Sequence, residues 1–426
     1  MTNISIIVCL AFFLCACTKK EKSMTSASDM SAVRAKLAFT CTHEADRLPS
    51  LEPTADQLFK YGRYLEKTQN QKNPEEIARY YRIAAAYGHY KANNNLQKLL
   101  TSNMVSSPDA ASEAVDLASQ LIKAGVPGGY YDMGHYLEQG YGVERDEDQA
   151  RRYFRKAADL GNPDAQNYVG DLLAPRDRAP DIAKQMRQCA MEQGFGDAAI
   201  NLAVDFQAKG KFSDALSAFQ RGVREGNSQS ARFLANGFDT EPSDALYYVG
   251  VAKDPERSRR YEQVRKFLDN NDGLNPKVPD IDQIVPPPPA KLPEWDGTFQ
   301  WQKEQDAAEP PPKPAESLVT KLAREKNLDP TTGLPLMKPP KNAQAGRVPL
   351  GTTAYTNEVC PEQGVWCAKQ WRGYSLEATQ HFRKGQTMPD LTIRYPRSMA
   401  ILDALLGVRE DRTYATWTLV SYERVS

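Results

Sequence analysis

The hydrophobic pattern changes character along this chain. It opens with an apolar run of 13 residues from Ile4 to Ala16. That length suits the apolar stretch of an export signal and falls short of the ~20 residues a membrane-spanning helix needs. Residues 18–36 are polar, small and charged, and predict a flexible leash. From Thr54 to Asp269 the apolar positions follow a helical period, and the sequence repeats itself. Glycine recurs at Gly88, Gly125, Gly161, Gly194 and Gly226, at intervals of 37, 36, 33 and 32 residues. Four residues after each stands Ala92, Gly129, Ala165, Ala198 or Ser230, and four before stands Ala84, Leu121, Ala157, Ala190 or Gly222. A helix is therefore predicted to end at each glycine, which takes the left-handed conformation at no steric cost, and the next to begin with a small residue where helices cross closely. The unit is a helix pair. About five units are expected, from a helix over 54–69 to a capping helix near 256–269, stacked as an α-solenoid.

Beyond Asn270 the helical period stops, and residues 275–340 are dense in proline. Such a segment predicts a semi-rigid spacer or a strap along a surface. Trp295, Phe299 and Trp301 favour a docked strap over a free linker, and a helix is expected over 315–326. From Arg347 onward the pattern turns to alternation. Thr413 to Tyr422 reads as a strand, residues 365–367 and 391–395 as shorter strands, and Met399 to Leu406 as a helix stopped by Gly407. The expected fold is mainly α: a repeat solenoid over 51–270, a proline-rich strap over 271–346 and a small β-rich α+β domain over 347–426.

The run Leu14, Cys15, Ala16, Cys17 resembles the bacterial lipobox, in which the cysteine is acylated and becomes the new N-terminus. The resemblance implies a signal peptide over 1–16, a lipidated Cys17 and a tether over 17–50. Thr18 after that cysteine implies sorting to the outer membrane, with the body expected in the periplasm. The stretch Tyr130 to Asp146, followed by Ala150, Tyr153, Phe154, Ala157, Ala158 and Gly161, resembles the Sel1-like repeat, a relative of the tetratricopeptide repeat. Tyr81, Tyr136, Tyr153 and Phe154 of the repeats are expected in the core. Tyr61, Tyr64, Tyr87, Tyr90, Tyr130 and Tyr141 are candidates for a protein-binding surface, because tyrosine offers large area, few rotamers and a hydroxyl.

Composition narrows the function classes. Lys+Arg and Asp+Glu stand at 54 each, so the chain lacks the basic excess that accompanies nucleic-acid binding. Of seven cysteines, the lipobox resemblance implies that Cys9 and Cys15 leave with the signal and that Cys17 is acylated. Cys41, Cys189, Cys360 and Cys367 remain, and an oxidising compartment predicts two disulfides. Cys360 with Cys367 would close a small loop around Pro361 to Gly364, leaving Cys41 with Cys189 as the long-range staple. The four histidines, His43, His89, His135 and His381, suggest no metal set with the cysteines. Nucleophile elbows, phosphate loops, dinucleotide fingerprints and zinc-protease motifs are all missing from the sequence. The chain reads as a binder without catalytic residues, cofactor or small-molecule substrate.

The lipobox, the repeats, the segment Leu292 to Gly297, and the C-terminal Trp366, Phe382 to Gly385, Met388, Pro389, Pro396, Arg397 and Trp417 to Tyr422 together resemble lipoprotein immunity proteins that neutralise phospholipase toxins of the type VI secretion system. The resemblance implies a periplasmic antidote that binds a cognate phospholipase effector, for which Tyr130, Tyr141, Trp295 and Trp301 are the candidate aromatic anchors. The other reading is an outer-membrane scaffold or adaptor whose solenoid holds a resident envelope partner.

Overall fold

The computed structural model describes residues 37–68, 73–175, 178–336, 348, 351–371, 375–395, 409–413 and 415–422. The apolar run read as an export signal, Cys17 and the helix expected over 399–406 lie outside them. No described helix is long and apolar enough to cross a membrane. Twelve helices carry the repeats: α1 (Pro53–Thr68), α2 (Pro74–Ala86), α3 (Tyr90–Thr101), α4 (Ala110–Lys123), α5 (Pro127–Gln139), α6 (Glu147–Asp159), α7 (Pro163–Leu173), α8 (Pro180–Glu192), α9 (Gly196–Ala208), α10 (Phe212–Arg224), α11 (Ser228–Gly237) and α12 (Pro255–Asn270). They make six successive pairs where the sequence suggested about five.

The five repeat glycines all adopt positive φ, from 76° at Gly125 to 107° at Gly161. The small residues around them are buried where helices meet. Gly134 shows why: a Cβ there would lie 2.6 Å from Cε1 of Phe154, whose ring is 1% exposed. Polar caps start the helices. Asp146 accepts from the Gln149 N–H, Asn162 from Ala165, Asn227 from Ser230 and Asp254 from Arg257.

The chain divides into two units. One gathers residues 37–49, 122–140 and 144–309. Within it α5 to α12 pack consecutively. The segment before α1 is fixed to this unit by a Cys41–Cys189 disulfide, by Thr42 donating to the Asp159 carbonyl at 2.8 Å, and by Arg155 donating to the carbonyls of Leu37 and Ala38. The proline-rich stretch to Glu309 lies against α10 and α12. Val278, Ile281, Ile284, Val285 and Phe299 join one core with Phe219, Tyr261, Val264 and Leu268. It includes the short helices α13 (Ile281–Ile284) and α14 (Gln300–Ala307).

The other unit gathers residues 50–121, 141–143 and 310–426. Here α1, α2 and α3 pack in sequence, and α15 (Glu316–Glu325) rests on α2. Val319, Leu322 and Ala323 supply its buried face. Arg79 donates to the Pro330 carbonyl and pairs with Glu316, while Tyr87 donates to Glu325 at 2.7 Å. Tyr87 is thus occupied by the strap helix.

The C-terminal sheet is antiparallel in the order β1 (Thr353–Tyr355), β6 (Thr416–Tyr422), β2 (Gly364–Trp371) and β3 (Ser375–Phe382). A separate pair joins β4 (Leu391–Tyr395) to β5 (Arg409–Thr413). The alternating stretch read as one strand from Thr413 is interrupted, with β6 beginning at Thr416. Trp366 and Trp417 are fully buried, and their indoles donate to the carbonyls of Glu362 and Pro389.

The expected Cys360–Cys367 bridge is absent, and both residues are buried thiols. Strand periodicity explains this. Cys360 belongs to the cluster around Trp366 and Ala368, whereas Cys367, between them on β2, points to the opposite face of the sheet. The Cys360 thiol donates instead to the Glu362 carbonyl at 3.1 Å.

Candidate protein-binding face

Three first helices in the 122–309 unit, α5, α7 and α9, each contribute a row of side chains at i, i+4 and i+7. On α5 these are Tyr131, His135 and Glu138, on α7 Asp164, Tyr168 and Asp171, and on α9 Asp197, Asn201 and Val204. The rows meet. Ring centroids lie 4.6 Å apart for Tyr131 and His135, 5.4 Å for His135 and Tyr168, and 4.6 Å for Tyr168 and the buried Phe154 beneath. The Tyr168 hydroxyl donates to Glu138 at 2.9 Å, and His135 Nδ1 lies 3.3 Å from the other carboxylate oxygen. Asn201 donates to Asn167 at 3.1 Å and to Asp171 at 3.2 Å, tying α9 to α7. Asn227, before α11, donates to Asp197 at 2.8 Å. Aromatic edges and carboxylates are thus locked in place before any partner arrives, which lowers the entropy cost of binding.

Electrostatics follow burial. Burial is the main cause that raises the Asp164 carboxyl to about 6, and the charge of Glu44 adds to it. Burial also raises Glu44, against hydrogen bonds from Asn162 and the Gly128 N–H that favour its charged form. The Tyr131 hydroxyl is raised by burial and then by Asp164.

The four aromatic candidates from the sequence divide. Tyr130 is half-buried with its ring 5.7 Å from that of Tyr153. Tyr141 is half-buried near Asp109 and Glu113, and burial raises its hydroxyl. Trp295 is half-buried, donates to the Thr298 carbonyl, and lies under the Arg260 guanidinium at 5.8 Å. Trp301 is only 9% exposed and packs edge-on against Phe267, so it anchors the strap to its own chain. Sequence reasoning missed Tyr131, His135, Glu138 and Tyr168, whose i, i+4, i+7 spacing on α5 and α7 was the available signal. Among the described residues, Cys41, Cys189 and His43 are the one group with metal-ligand proximity, and the disulfide already uses both sulfurs.

Comparisons with known proteins agree with this architecture. Residues 127–162 match the Sel1 repeat, and residues 230–336, which span α11, α12 and both docked stretches of the strap, match a Domain of unknown function (DUF6396). No curated protein matches the chain. Among solved structures, immunity protein PA5088 from Pseudomonas aeruginosa is 27% identical with a TM-score of 0.51, over 59% of this chain and 94% of that one. Immunity protein Pa5087 from the same organism is 29% identical with a TM-score of 0.49, over 59% and 95%. A third Pseudomonas aeruginosa protein, PA5086, is 28% identical with a TM-score of 0.49, over 59% and 95%. The chain is a Sel1-repeat α-solenoid with a small C-terminal antiparallel sheet, and it resembles immunity proteins. Repeat and resemblance together point to a protein-interaction role.

Proposed function

We propose that this protein is a lipid-anchored periplasmic immunity protein that binds a phospholipase delivered by a type VI secretion system and blocks its access to membrane phospholipids. The carrying observation is the likeness to immunity protein PA5088 across 94% of that chain. The physical case is consistent with it. A solenoid whose first helices present fixed aromatic and carboxylate groups offers surface for one large protein. Neutralising a toxin requires affinity of ~nM or better, which needs preorganised anchors. Leu14 to Cys17 supply the anchor to the outer membrane, which puts the body where an incoming lipase would act.

The test is to delete the gene, challenge the strain with lipase-secreting siblings, and add the purified body to the lipase in vitro. Loss of survival on challenge and inhibition of the enzyme support immunity. Unchanged survival with uninhibited lipase would discard it in favour of an envelope scaffold.

A further inference from the structure

The face built by α5, α7 and α9 combines two chemistries that seldom share a surface without a purpose. Its floor is aromatic, with Tyr131, His135 and Tyr168 in mutual ring contact. Its rim is acidic. The Glu138 and Asp171 side chains are 39% and 47% exposed, and Asp197 is exposed. Arg187 pairs with Asp171 at 2.5 Å, yet among the described residues no lysine or arginine lies within salt-bridge distance of Glu138 or Asp197. Asp164 and Glu44 add negative charge behind the rim.

An apolar partner would desolvate these carboxylates without replacing their water, which disfavours it. A basic partner satisfies both parts at once. A guanidinium or ammonium group is attracted to tyrosine faces and pairs with the flanking carboxylates.

Resting on the immunity reading above, we propose that this face receives a lysine- or arginine-bearing surface of the bound phospholipase, with one basic side chain laid across Tyr131 and Tyr168 and paired with Glu138 and a second paired with Asp197, two repeats further along. The acidic rim also steers the encounter, so association is fast at low salt and slows as salt rises.

The test measures association and affinity between the full chain and the type VI phospholipase used in the challenge above, at low and high salt. Glu138→Lys, at a half-buried position, and Asp197→Lys, at an exposed one, are each expected to weaken binding about tenfold or more, mostly through slower association, and to flatten the salt dependence. Asp306→Lys on α14 serves as the control and should leave binding unchanged. Affinity unaltered by both reversals overturns the face and leaves the immunity reading standing. A phospholipase that does not bind the unaltered protein overturns both.

Discussion

The Glu44 carboxylate accepts a hydrogen bond from the Gly128 N–H at 3.0 Å, across 84 residues of sequence. Helix α5 begins at Pro127 behind Val126, which has no side chain able to cap it. The segment before the repeats therefore supplies the missing acceptor at the positive end of the helix. The same oxygen accepts from Asn162, whose own oxygen caps α7, so a single carboxylate ties two helix starts together.

Placing a second acid, Asp164, beside Glu44 has a cost that depends on pH. The Asp164 carboxyl is raised in the folded protein from the ordinary 3.8 to about 6, so the folded state holds its proton more tightly than the unfolded chain. Its contribution is fully favourable below about pH 4, falls as pH rises through 6, and is then constant. Asp164→Asn should therefore stabilise the protein at pH 7.5, by ~1–2 kcal/mol after allowing for partial solvent access, and have little effect near pH 4. Urea melts at the two pH values check this. An Asn variant that is less stable at pH 7.5 would show that the charge is favourable at the start of α7.

The disulfide and the two thiols give opposite expectations. Cys41–Cys189 closes a loop with a sequence separation of 148, worth up to ~5 kcal/mol in the chain-entropy model. Replacing both by serine should lower the melting temperature and expose residues 37–49 to protease. In a body beginning at Thr18, alkylation without reductant should modify Cys360 and Cys367 only after denaturation, since they are 1% and 4% exposed. A peptide map linking Cys360 to Cys367 would contradict this.

Helix ends and strap helix were legible because local chemistry sets them. Repeat glycines impose left-handed turns, and residues 315–326 carry a helical period that appears as α15. What the sequence hid is non-local. The pairing of Cys360 with Cys367 looked natural from their spacing, but which face of β2 a side chain takes is decided by Trp366 and the register with β3 and β6. Trp301 looked like a surface anchor because nothing in its neighbourhood predicts Phe267, which lies on another element. Strands β1, β3 and β5 escaped for the same reason: β1 has three residues, β3 mixes polar and apolar positions, β5 reads Arg-Glu-Asp-Arg-Thr, and only the pairing to β6, β2 and β4 defines them.

Gly134 and Phe154 form a packed pair with no slack. Gly134→Ala would place a methyl 2.6 Å from Cε1 of Phe154 and should cost ~1–3 kcal/mol in urea melts. Adding Phe154→Leu removes the ring edge and should recover part of that loss. Additive losses in the double variant would show that the two residues do not act through this contact.

The proposed lipid anchor has a direct readout. Cys17→Ser should abolish palmitate labelling and leave a soluble or inner-membrane-retained precursor, because Cys17 is the cysteine that closes the apolar run from Ile4 to Ala16. Continued labelling of the variant would remove the anchor from the proposed function.

Arg260 is one of two arginines of α12 that hold the first half of the strap; Arg257 donates to the carbonyls of Pro286 and Ala290. The Arg260 guanidinium donates to the Ile284 carbonyl and the Pro293 carbonyl, both at 2.8 Å, pairs with Glu256, and covers the Trp295 ring. Proline-rich backbone has few N–H groups with which to bind a surface, so its carbonyls must find donors on the solenoid. Arg260→Ala leaves two such carbonyls without their partner, and a hydrogen bond to a charged donor is worth ~1.5–3 kcal/mol. The expected result is faster proteolysis within residues 286–299, while α5 to α9 keep their hydrogen-exchange protection. Arg260→Lys should restore little of it, because one ammonium cannot reach both carbonyls and Glu256 in the planar geometry that the guanidinium provides. Unchanged proteolysis in both variants would mean that the strap is held without Arg260, by the Arg257 and Gln220 hydrogen bonds to the carbonyls of Pro286, Ala290 and Val285 and by the buried Ile281, Ile284 and Phe299.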